Sequence, residues 1–450
     1  MAIFNLLSTI LGGGALSIPY AFKKCGWLGG LLVLAFSVQI SLFSLNLLCT
    51  LGRKLGCETY SDVVRKTMGR PYAEVLDCIS FGMLFLVIVA FFILIKDISG
   101  DIFEFVFFQD SLEHLSPGAR SWTLYLITAC MFPLMIAKSL HALRHISYVG
   151  TFSVLLLLVV ILLKAVKANT ERAVGGDQSA SVARMWALHL TDVLAALPII
   201  LIAFLCQFNV VGVYAKLVEP TGAHMHQVLC YTIYSSGLIY LTFGIGGYFI
   251  AFDQTRDNIL NNFSSRDPSL VVARLGLVLT LMCQTPMVVV PCVDSLLKLV
   301  DNARTCWKLH TWGLRYHYIL YSDNGNEDQI VAESDIEEED MRGARHSSEH
   351  QPRANRSILT LLLVLLCLFL SENVPGVSTI WTLAGSSLSI VLAFLFPSLA
   401  YIALFYRLDG SRRVDGSIIG AFGLLVISLF MILLCTAQTI ASSFTWAGKI

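Results

Sequence analysis

Residues 3–22 read IFNLLSTILGGGALSIPYAF and are the most informative segment of the chain. It is long and apolar enough to span a bilayer, yet Gly12, Gly13 and Gly14 lie at its centre and Pro19 follows them. Because glycine is the poorest helix former after proline, three in succession favour a break in the helix. A lipid-facing helix cannot break, since the freed N–H and C=O groups would have no partner in hydrocarbon. The stretch therefore predicts a broken helix that lines a cavity inside the protein.

The composition of the 450-residue chain indicates a membrane protein. Hydrophobic residues make up 56% of it, charged residues make up 14%, and the mean hydropathy is +0.71. Soluble domains carry about 25% charged residues. The formal net charge is zero, so we expect no nucleic-acid partner. The sequence contains no P-loop and no recognisable nucleophile–base set or metal-ligand pattern, which predicts no use of ATP, no enzymatic activity and no cofactor.

Eleven apolar runs each approach the roughly 20 residues that a spanning helix needs. Most of the 31 lysines and arginines fall in alternate loops, which favours a cytosolic N-terminus and places the C-terminus on the opposite side. The predicted spans, numbered 1 to 11 in chain order, cover about residues 2–22, 27–51, 73–95, 121–137, 146–166, 193–215, 227–251, 270–297, 357–372, 378–405 and 416–441.

Span 6 carries a second interruption. Gln207 and Asn209 lie near its middle, with Pro198 before them and Gly212 after them. Polar amides at mid-bilayer are costly unless they line a cavity or bond between helices. Spans 1 and 6 are five apart, which is the offset expected if spans 1–5 and 6–10 are inverted repeats that each begin with a broken helix. The sequence thus predicts an all-α polytopic transporter domain over 1–441, with repeats at about 1–166 and 193–405 and an eleventh helix at 416–441.

Two broken helices supply the chemistry for a dipolar ligand. The second half of span 1, beginning near Gly14, would present free N–H groups and a positive dipole end to a carboxylate. The carbonyl groups freed in span 6, between Ala203 and Gln207, would accept hydrogen bonds from an ammonium group. Together these groups predict an α-amino acid as substrate. The alternative interpretation of the three glycines is close packing between helices.

Side-chain oxygens in span 8 are candidates for a Na⁺ site. Thr280, Gln284 and Thr285 precede Pro286, and their oxygens would join carbonyl groups of span 1 around the ion. The alternative for each threonine is a hydrogen bond to its own helix. Few acidic residues lie deep inside a span, which weakens the case for a buried carboxylate that relays protons.

Two segments outside the spans carry further predictions. Residues 298–356 include the acidic run Glu333–Asp340 and are predicted to be a disordered cytosolic linker, with a regulatory loop as the alternative. After span 7, Asn262 begins the sequence Asn-Phe-Ser, an acceptor sequence for glycosylation on the predicted outer side.

The order and spacing of several motifs resemble the amino acid/auxin permease family, most closely its sodium-coupled neutral amino acid transporter branch. The motifs are FNLLSTILGGGALSIPYAFKKCGW in span 1, LPIILIAFLCQFNVVGVYAKLVEP in span 6, GIGGYFIAFDQTRDNILNNF after span 7, TPMVVVPCVDSL in span 8 and AGSSLSIVLAFLFPSLAYI in span 10. The resemblance covers nearly the whole chain. It implies a LeuT-type fold with eleven spans, and symport of amino acids by alternating access.

The resemblance also implies the positions of the site residues. The predicted substrate contacts, with Gln207 added from the interruption itself, are Gly12, Gly13, Gly14, Ala15, Ala203, Phe204, Cys206 and Gln207. Ser8 stands where sodium-coupled members commonly have asparagine, and with Thr9 it joins the Na⁺ candidates of span 8. The departures at Ser8 and Gln284 leave Na⁺ coupling, H⁺ coupling and exchange open.

Three further questions stay open at the level of the sequence. An amino acid sensor that binds with little turnover is one alternative to a transporter. A transporter of another small organic solute is the second. The membrane is predicted to be the plasma membrane or that of a lysosome or vacuole.

Overall fold

The structure is a computed structural model. It describes residues 2–107, 117–136, 146–175, 184–187, 189–217, 221–265, 267–320, 353–408 and 416–447. These residues form helices and turns, and no strand occurs among them. Within these ranges, ten helices are long and apolar enough to cross a membrane, and a bent helix pair at the N-terminus makes an eleventh span. The prediction of an all-α protein with eleven spans is therefore confirmed.

The helices of the spans follow the predicted order. Spans 2 to 5 are Trp27–Leu55, Arg70–Phe107, Pro117–Ile136 and Ile146–Gly175. Spans 7, 8, 9 and 11 are Gly222–Ala251, Pro268–Leu320, Arg353–Asn373 and Gly416–Ala447. A short helix outside the membrane, Tyr60–Met68, lies between spans 2 and 3. Its N-cap is Thr59, whose hydroxyl accepts a hydrogen bond from the N–H of Asp62 at 3.2 Å.

Span 1 is broken at the glycine run, as predicted. Its first helix is Ala2–Ile10, and a 3-10 helix, Gly13–Ser17, leads into a second α-helix, Ile18–Cys25. The two halves are bent by 43°. The bend falls at Gly12, whose extended backbone (φ −110°, ψ −155°) leaves the helical region. Pro19 lies in the first turn of the second α-helix, where its missing N–H would have had no helical partner.

Span 6 is also broken near its middle, as predicted. Its first helix is Leu190–Ala203 and its second is Gln207–Ala215. The three residues between them, 204–206, are buried and are not helical. The break therefore exposes backbone groups inside the bundle, where lipid cannot reach them.

Span 10 contains two π-helical segments. It begins as the α-helix Val377–Leu383, passes through the π-helical segments Ala384–Leu388 and Val391–Leu395, and ends as the α-helix Phe396–Leu408. π-Helical turns often mark functional positions because their wider hydrogen-bond pattern disturbs the backbone ladder.

Side chains from other elements bond to the carbonyl groups of the second π-helical segment. The Tyr60 hydroxyl donates to the Leu392 carbonyl at 2.8 Å, and the Ser44 hydroxyl donates to the Ala393 carbonyl. Burial raises the pKa of the Tyr60 phenol, which keeps it a protonated donor. The short helix Tyr60–Met68 is thereby attached to span 10.

The helix of span 8 is longer than predicted. It continues from Pro268 to Leu320, so the linker predicted to begin at residue 298 starts as helix. Beyond the bilayer no length rule limits a helix, and residues 298–320 carry no proline or glycine except Gly313. The acidic run Glu333–Asp340 lies outside the described residues.

A lid, defined here as residues 252–265, connects spans 7 and 8. It contains two 3-10 helices, Phe252–Gln254 and Ile259–Asn262. The second of these packs against the 3-10 helix Gly13–Ser17 of span 1. Because Ile259 and Leu260 are fully buried, the lid covers one end of the broken span.

Candidate functional site

The two breaks meet inside the bundle. A Cβ atom placed on Gly14 would lie 3.7 Å from both Cα and Cβ of Ala203. The start of the second half of span 1 and the end of the first half of span 6 are thus in van der Waals contact. Ala15, Phe204 and Cys206 are buried beside them. The structure therefore brings together the predicted substrate residues of both spans.

The second half of span 1 presents free N–H groups at this point. Its first internal hydrogen bond runs from the N–H of Ala15 to the carbonyl of Gly12 at 3.2 Å. The N–H groups of Gly13 and Gly14 precede that bond, so the helix itself offers them no acceptor. N–H groups of this kind at the start of a helix form a site for an anion such as a carboxylate.

The first halves of the two spans end in carbonyl groups that share one donor. The hydroxyl of Tyr240, in span 7, lies 2.6 Å from the carbonyl oxygen of Ile10 and 3.1 Å from that of Ala203. The Tyr240 side chain is fully buried, and its ring meets the ring of Phe204 edge-on with centroids 5.2 Å apart. Tyr240 was not among the residues predicted from the sequence. Its only signal was a hydroxyl group in the middle of an apolar span.

Gln207 organises the break in span 6. Its side-chain oxygen accepts a hydrogen bond from the N–H of Cys206 at 3.0 Å, and its side-chain nitrogen lies 3.5 Å from the carbonyl oxygen of Ala393 in span 10. Gln207 is fully buried. It therefore stabilises the non-helical backbone and connects it to the second π-helical segment.

Gly13 lies closer to a neighbouring element, span 3, than Gly12 and Gly14 lie to theirs. A Cβ atom on Gly13 would lie 2.5 Å from Cδ1 of Leu94, whereas those on Gly12 and Gly14 would find no atom nearer than 3.6 Å. Contacts under about 3.0 Å require a neighbouring side chain to move. Of the three glycines, only Gly13 is therefore required by close packing.

One residue of span 8 reaches the break in span 1. The side-chain nitrogen of Gln284 donates to the carbonyl of Ser8 at 3.3 Å. Its side-chain oxygen is buried with no hydrogen-bond partner among the described residues, and a Cβ atom on Gly12 would lie 3.6 Å from it. Gln284 thus joins the two spans that were predicted to hold Na⁺, and its N–H group donates to a carbonyl group of span 1.

The hydroxyl groups of the other Na⁺ candidates bond to their own helices. Thr280 donates to the carbonyl of Gly276 and Thr285 to that of Leu281, both at 2.7 Å. In the same way, Ser8 and Thr9 both donate to the carbonyl of Asn5, and Thr9 also accepts from the Asn209 amide of span 6 at 3.0 Å. This is the alternative that the sequence analysis gave for the threonines. Thr280 packs against Gly150 of span 5.

A buried arginine anchors the lid. Arg274 of span 8 is fully buried and donates to four lid carbonyl groups at 3.1–3.3 Å, those of Leu260, Phe263, Ser264 and Ser265. It also pairs with Asp101 of span 3 at 3.1 Å, and Arg120 of span 4 pairs with Asp101 and Glu104 at 3.2 and 3.1 Å. The lid is thereby fixed to three spans.

Asn262, the predicted glycosylation position, lies in the lid. Its side-chain nitrogen donates to the carbonyl of Gln254, and its side-chain oxygen accepts from the N–H of Arg256, both at 2.8 Å. The amide therefore has a structural role in the folded lid. Its modification stays a prediction.

Two surface cavities lie away from the breaks. One, of about 800 Å³, lies between spans 5 and 7 and is lined by residues such as Leu162 and Phe249. The other, of about 430 Å³, borders Cys25 and Trp186. The lining of both is mainly apolar, and neither borders the breaks of spans 1 and 6.

Sequence comparison gives the family. The family described as transmembrane amino acid transporter protein matches residues 1–441. This chain belongs to that family. The resemblance to amino acid/auxin permeases is confirmed, and the family consists of transporters rather than enzymes.

Two relatives and one solved structure illustrate the family and its fold. A Mus musculus protein provisionally named sodium-coupled neutral amino acid transporter 11 is 25% identical over 291 residues, covering 64% of this chain and 61% of the mouse protein. The chain thus spans about three fifths of the mouse relative, and of the rat relative as well. Vacuolar amino acid transporter 5 of Saccharomyces cerevisiae is 23% identical over 447 residues, covering 95% and 94% of the two chains.

The structural comparison confirms the predicted fold. The crystal structure of MhsT in complex with L-phenylalanine superimposes with a TM-score of 0.53 and 12% sequence identity. The superposition covers 97% of this chain and 98% of MhsT. The family member described here therefore has the LeuT-type fold, with broken spans 1 and 6.

Proposed function

We propose that this chain is a secondary active transporter that moves amino acids across a membrane by alternating access. The observation that carries the proposal is the contact between two broken spans, with free N–H groups at Gly13 and Gly14 and carbonyl ends at Ile10 and Ala203. An α-amino acid carries a carboxylate and an ammonium group that match these two kinds of partner. No charged residue lies within 10–15 or 203–207, which supports a neutral side chain.

The breaks also supply the movement that alternating access needs. Residues 11–12 and 204–206 lie between helices and are free of a continuous helical ladder, so each pair of half-helices can bend there without losing its own hydrogen bonds. A substrate bound both by the N–H groups of Gly13 and Gly14 and by the Ala203 carbonyl would hold the two half-helices together. Opening on the opposite side would then release it.

The proposal is tested by reconstituting the purified chain into proteoliposomes. We expect uptake of labelled L-alanine, L-leucine, L-glutamine or L-phenylalanine above that of protein-free vesicles, and accumulation when an ion gradient is imposed. Binding without accumulation would instead support the sensor. Equal competition by the corresponding carboxylic acids, which lack the α-ammonium, would support a transporter of another organic solute.

The coupling ion is addressed on the same vesicles. Na⁺ and H⁺ are the two ions proposed from the sequence, and the oxygen of Gln284, which has no partner among the described residues, is a group that a bound Na⁺ would satisfy. If Na⁺ drives transport, replacing Na⁺ by choline should abolish accumulation. If H⁺ drives it, collapsing the pH gradient with a protonophore should abolish accumulation. Unchanged accumulation under both conditions would support exchange.

The membrane is proposed to be the plasma membrane or that of a lysosome or vacuole. The name of the yeast relative places that protein in the vacuole. Microscopy of a tagged chain beside markers for both membranes distinguishes the two.

A further inference from the structure

The carbonyl ends of the two first half-helices meet at one hydroxyl group. Ile10 and Ala203 are the last residues of their helices, and a helix C-terminus carries unpaired carbonyl groups and the negative end of the helix dipole. The Ile10 carbonyl also accepts from the N–H of Gly12 at 2.8 Å. Tyr240 is the donor that the two ends share, at 2.6 and 3.1 Å.

One phenol cannot donate to both carbonyl groups at once. A tyrosine hydroxyl has a single proton to donate, whereas its oxygen also accepts hydrogen bonds. Two negative helix ends that converge on one proton favour a positively charged group beside them. An ammonium group has three N–H donors, so it can bond to both carbonyl groups and to the Tyr240 oxygen together.

Tyr240 lies on a helix that is not broken. It belongs to span 7, which is one continuous helix from Gly222 to Ala251. That helix packs against both halves of span 1. The edge-on contact with Phe204 fixes the ring from the side of span 6. The hydroxyl is therefore carried by a continuous helix and bonds to the carbonyl ends of two broken ones.

We infer that Tyr240 is the positioning residue for the ammonium group of the substrate. It sets the spacing of the Ile10 and Ala203 carbonyl groups and leaves the carboxylate to the N–H groups of Gly13 and Gly14. The inference rests on the proposed function and assigns one group at the same site. It predicts that the hydroxyl governs the apparent affinity for substrate, while the turnover of bound substrate depends little on it.

The test is the substitution Tyr240→Phe, which removes the hydroxyl and keeps the ring. Uptake of the fastest substrate among the four labelled amino acids should show about a tenfold higher KM, with a maximal rate within twofold of wild type. The preference for that amino acid over its N-methyl derivative should fall by at least threefold, because the derivative has fewer N–H donors. A purely structural role would not alter this preference.

A matched control lies on the same helix. Tyr248 is also fully buried and has aromatic neighbours, but its hydroxyl accepts from the N–H of Arg184 at 2.9 Å, far from the breaks. Tyr248→Phe should leave KM and the preference unchanged within twofold.

Three results would overturn the inference. They are a KM for Tyr240→Phe within twofold of wild type, an unchanged preference over the N-methyl derivative, or a Tyr240→Phe protein that no longer gives a monodisperse peak. The last would make the hydroxyl a structural group. Failure of the wild-type protein to transport any of the four amino acids is a different outcome, which contradicts the proposed function itself.

Discussion

The three glycines of span 1 are equivalent in the sequence but have different surroundings. Gly12 supplies the extended backbone of the bend, and Gly14 lies against Ala203 at an ordinary contact distance. Only at Gly13 would a methyl group lie so close to a side chain, at the Cδ1 end of Leu94, that this side chain must move. The glycine run predicts the break because it depends on local backbone preference. It cannot predict which glycine is crowded, because that depends on span 3.

A methyl group at position 13 should therefore destabilise the fold. We expect Gly13→Ala to lower the free energy of unfolding by about 1–3 kcal/mol, the usual cost of overpacking a core. Thermal unfolding in detergent measures the change. The same substitution at Gly12, where the nearest atom would be 3.6 Å away, should have a much smaller effect.

The source of the cost is tested by a double mutant. In a Leu94→Ala background the clashing Cδ1 atom is absent, so Gly13→Ala should cost less than about 0.5 kcal/mol more than Leu94→Ala alone. Equal costs in both backgrounds would show that the crowding at Leu94 is not the cause.

At the scale of elements, the lid is held by one side chain that bonds to its backbone carbonyl groups. Arg274 donates to four carbonyl groups of residues 260–265 and pairs with Asp101. A guanidinium group carries five N–H donors in a planar fork and can therefore span several acceptors. The ammonium group of a lysine at this position would keep the charge, but its three N–H donors would all lie on one nitrogen atom.

Arg274→Lys should therefore weaken the lid although the charge is conserved. We expect a loss of at least about 2 kcal/mol in the free energy of unfolding, since hydrogen bonds to charged groups contribute about 1.5–3 kcal/mol each. Amide hydrogen exchange should become faster in peptides that cover residues 257–265.

The matched control is the same substitution at a surface ion pair. Arg184 pairs with Asp253 at 2.9 Å, and both side chains are partly exposed to solvent, at 44% and 38%. Arg184→Lys should change stability by less than about 1 kcal/mol. Similar effects of the two substitutions would mean that the fork of Arg274 has no special part in holding the lid.

At the scale of the molecule, the bilayer explains how much the sequence predicts. Spans of about 20 apolar residues are needed to cross it, so all eleven spans and their order can be predicted. Outside the bilayer this constraint ends, and the extension of span 8 to Leu320 was missed. The role of Tyr240 was missed for another reason. Its two hydrogen bonds join residues 230 and 37 positions away, and no local pattern records such contacts.

An odd number of spans places the two ends of the chain on opposite sides of the membrane. With the N-terminus on the cytosolic side, as the sequence predicts, the lid lies on the opposite side together with Asn262. We expect the chain to be glycosylated there when it is expressed in cells that perform this modification. A glycosidase should then increase its electrophoretic mobility.

Substitutions at Ser264 test this topology without removing the hydrogen bonds of Asn262. Ser264→Ala destroys the acceptor sequence, and Ser264→Thr preserves it. Only the alanine variant should lose the mobility shift. A shift that persists in Ser264→Ala would place the modification elsewhere, and reactivity of an N-terminal tag in intact cells would contradict the orientation.

The way in which Arg274 holds the lid also bears on how related sequences can diverge. Every residue contributes a carbonyl group, so the hydrogen bonds from Arg274 depend on the backbone path of the lid. They do not depend on which amino acids compose it. Substitutions at Phe263, Ser264 and Ser265 can accumulate without a compensating change at Arg274. Across a deep alignment, Arg274 should therefore covary with Asp101 and with no position of the lid, even though the lid supplies most of its hydrogen bonds.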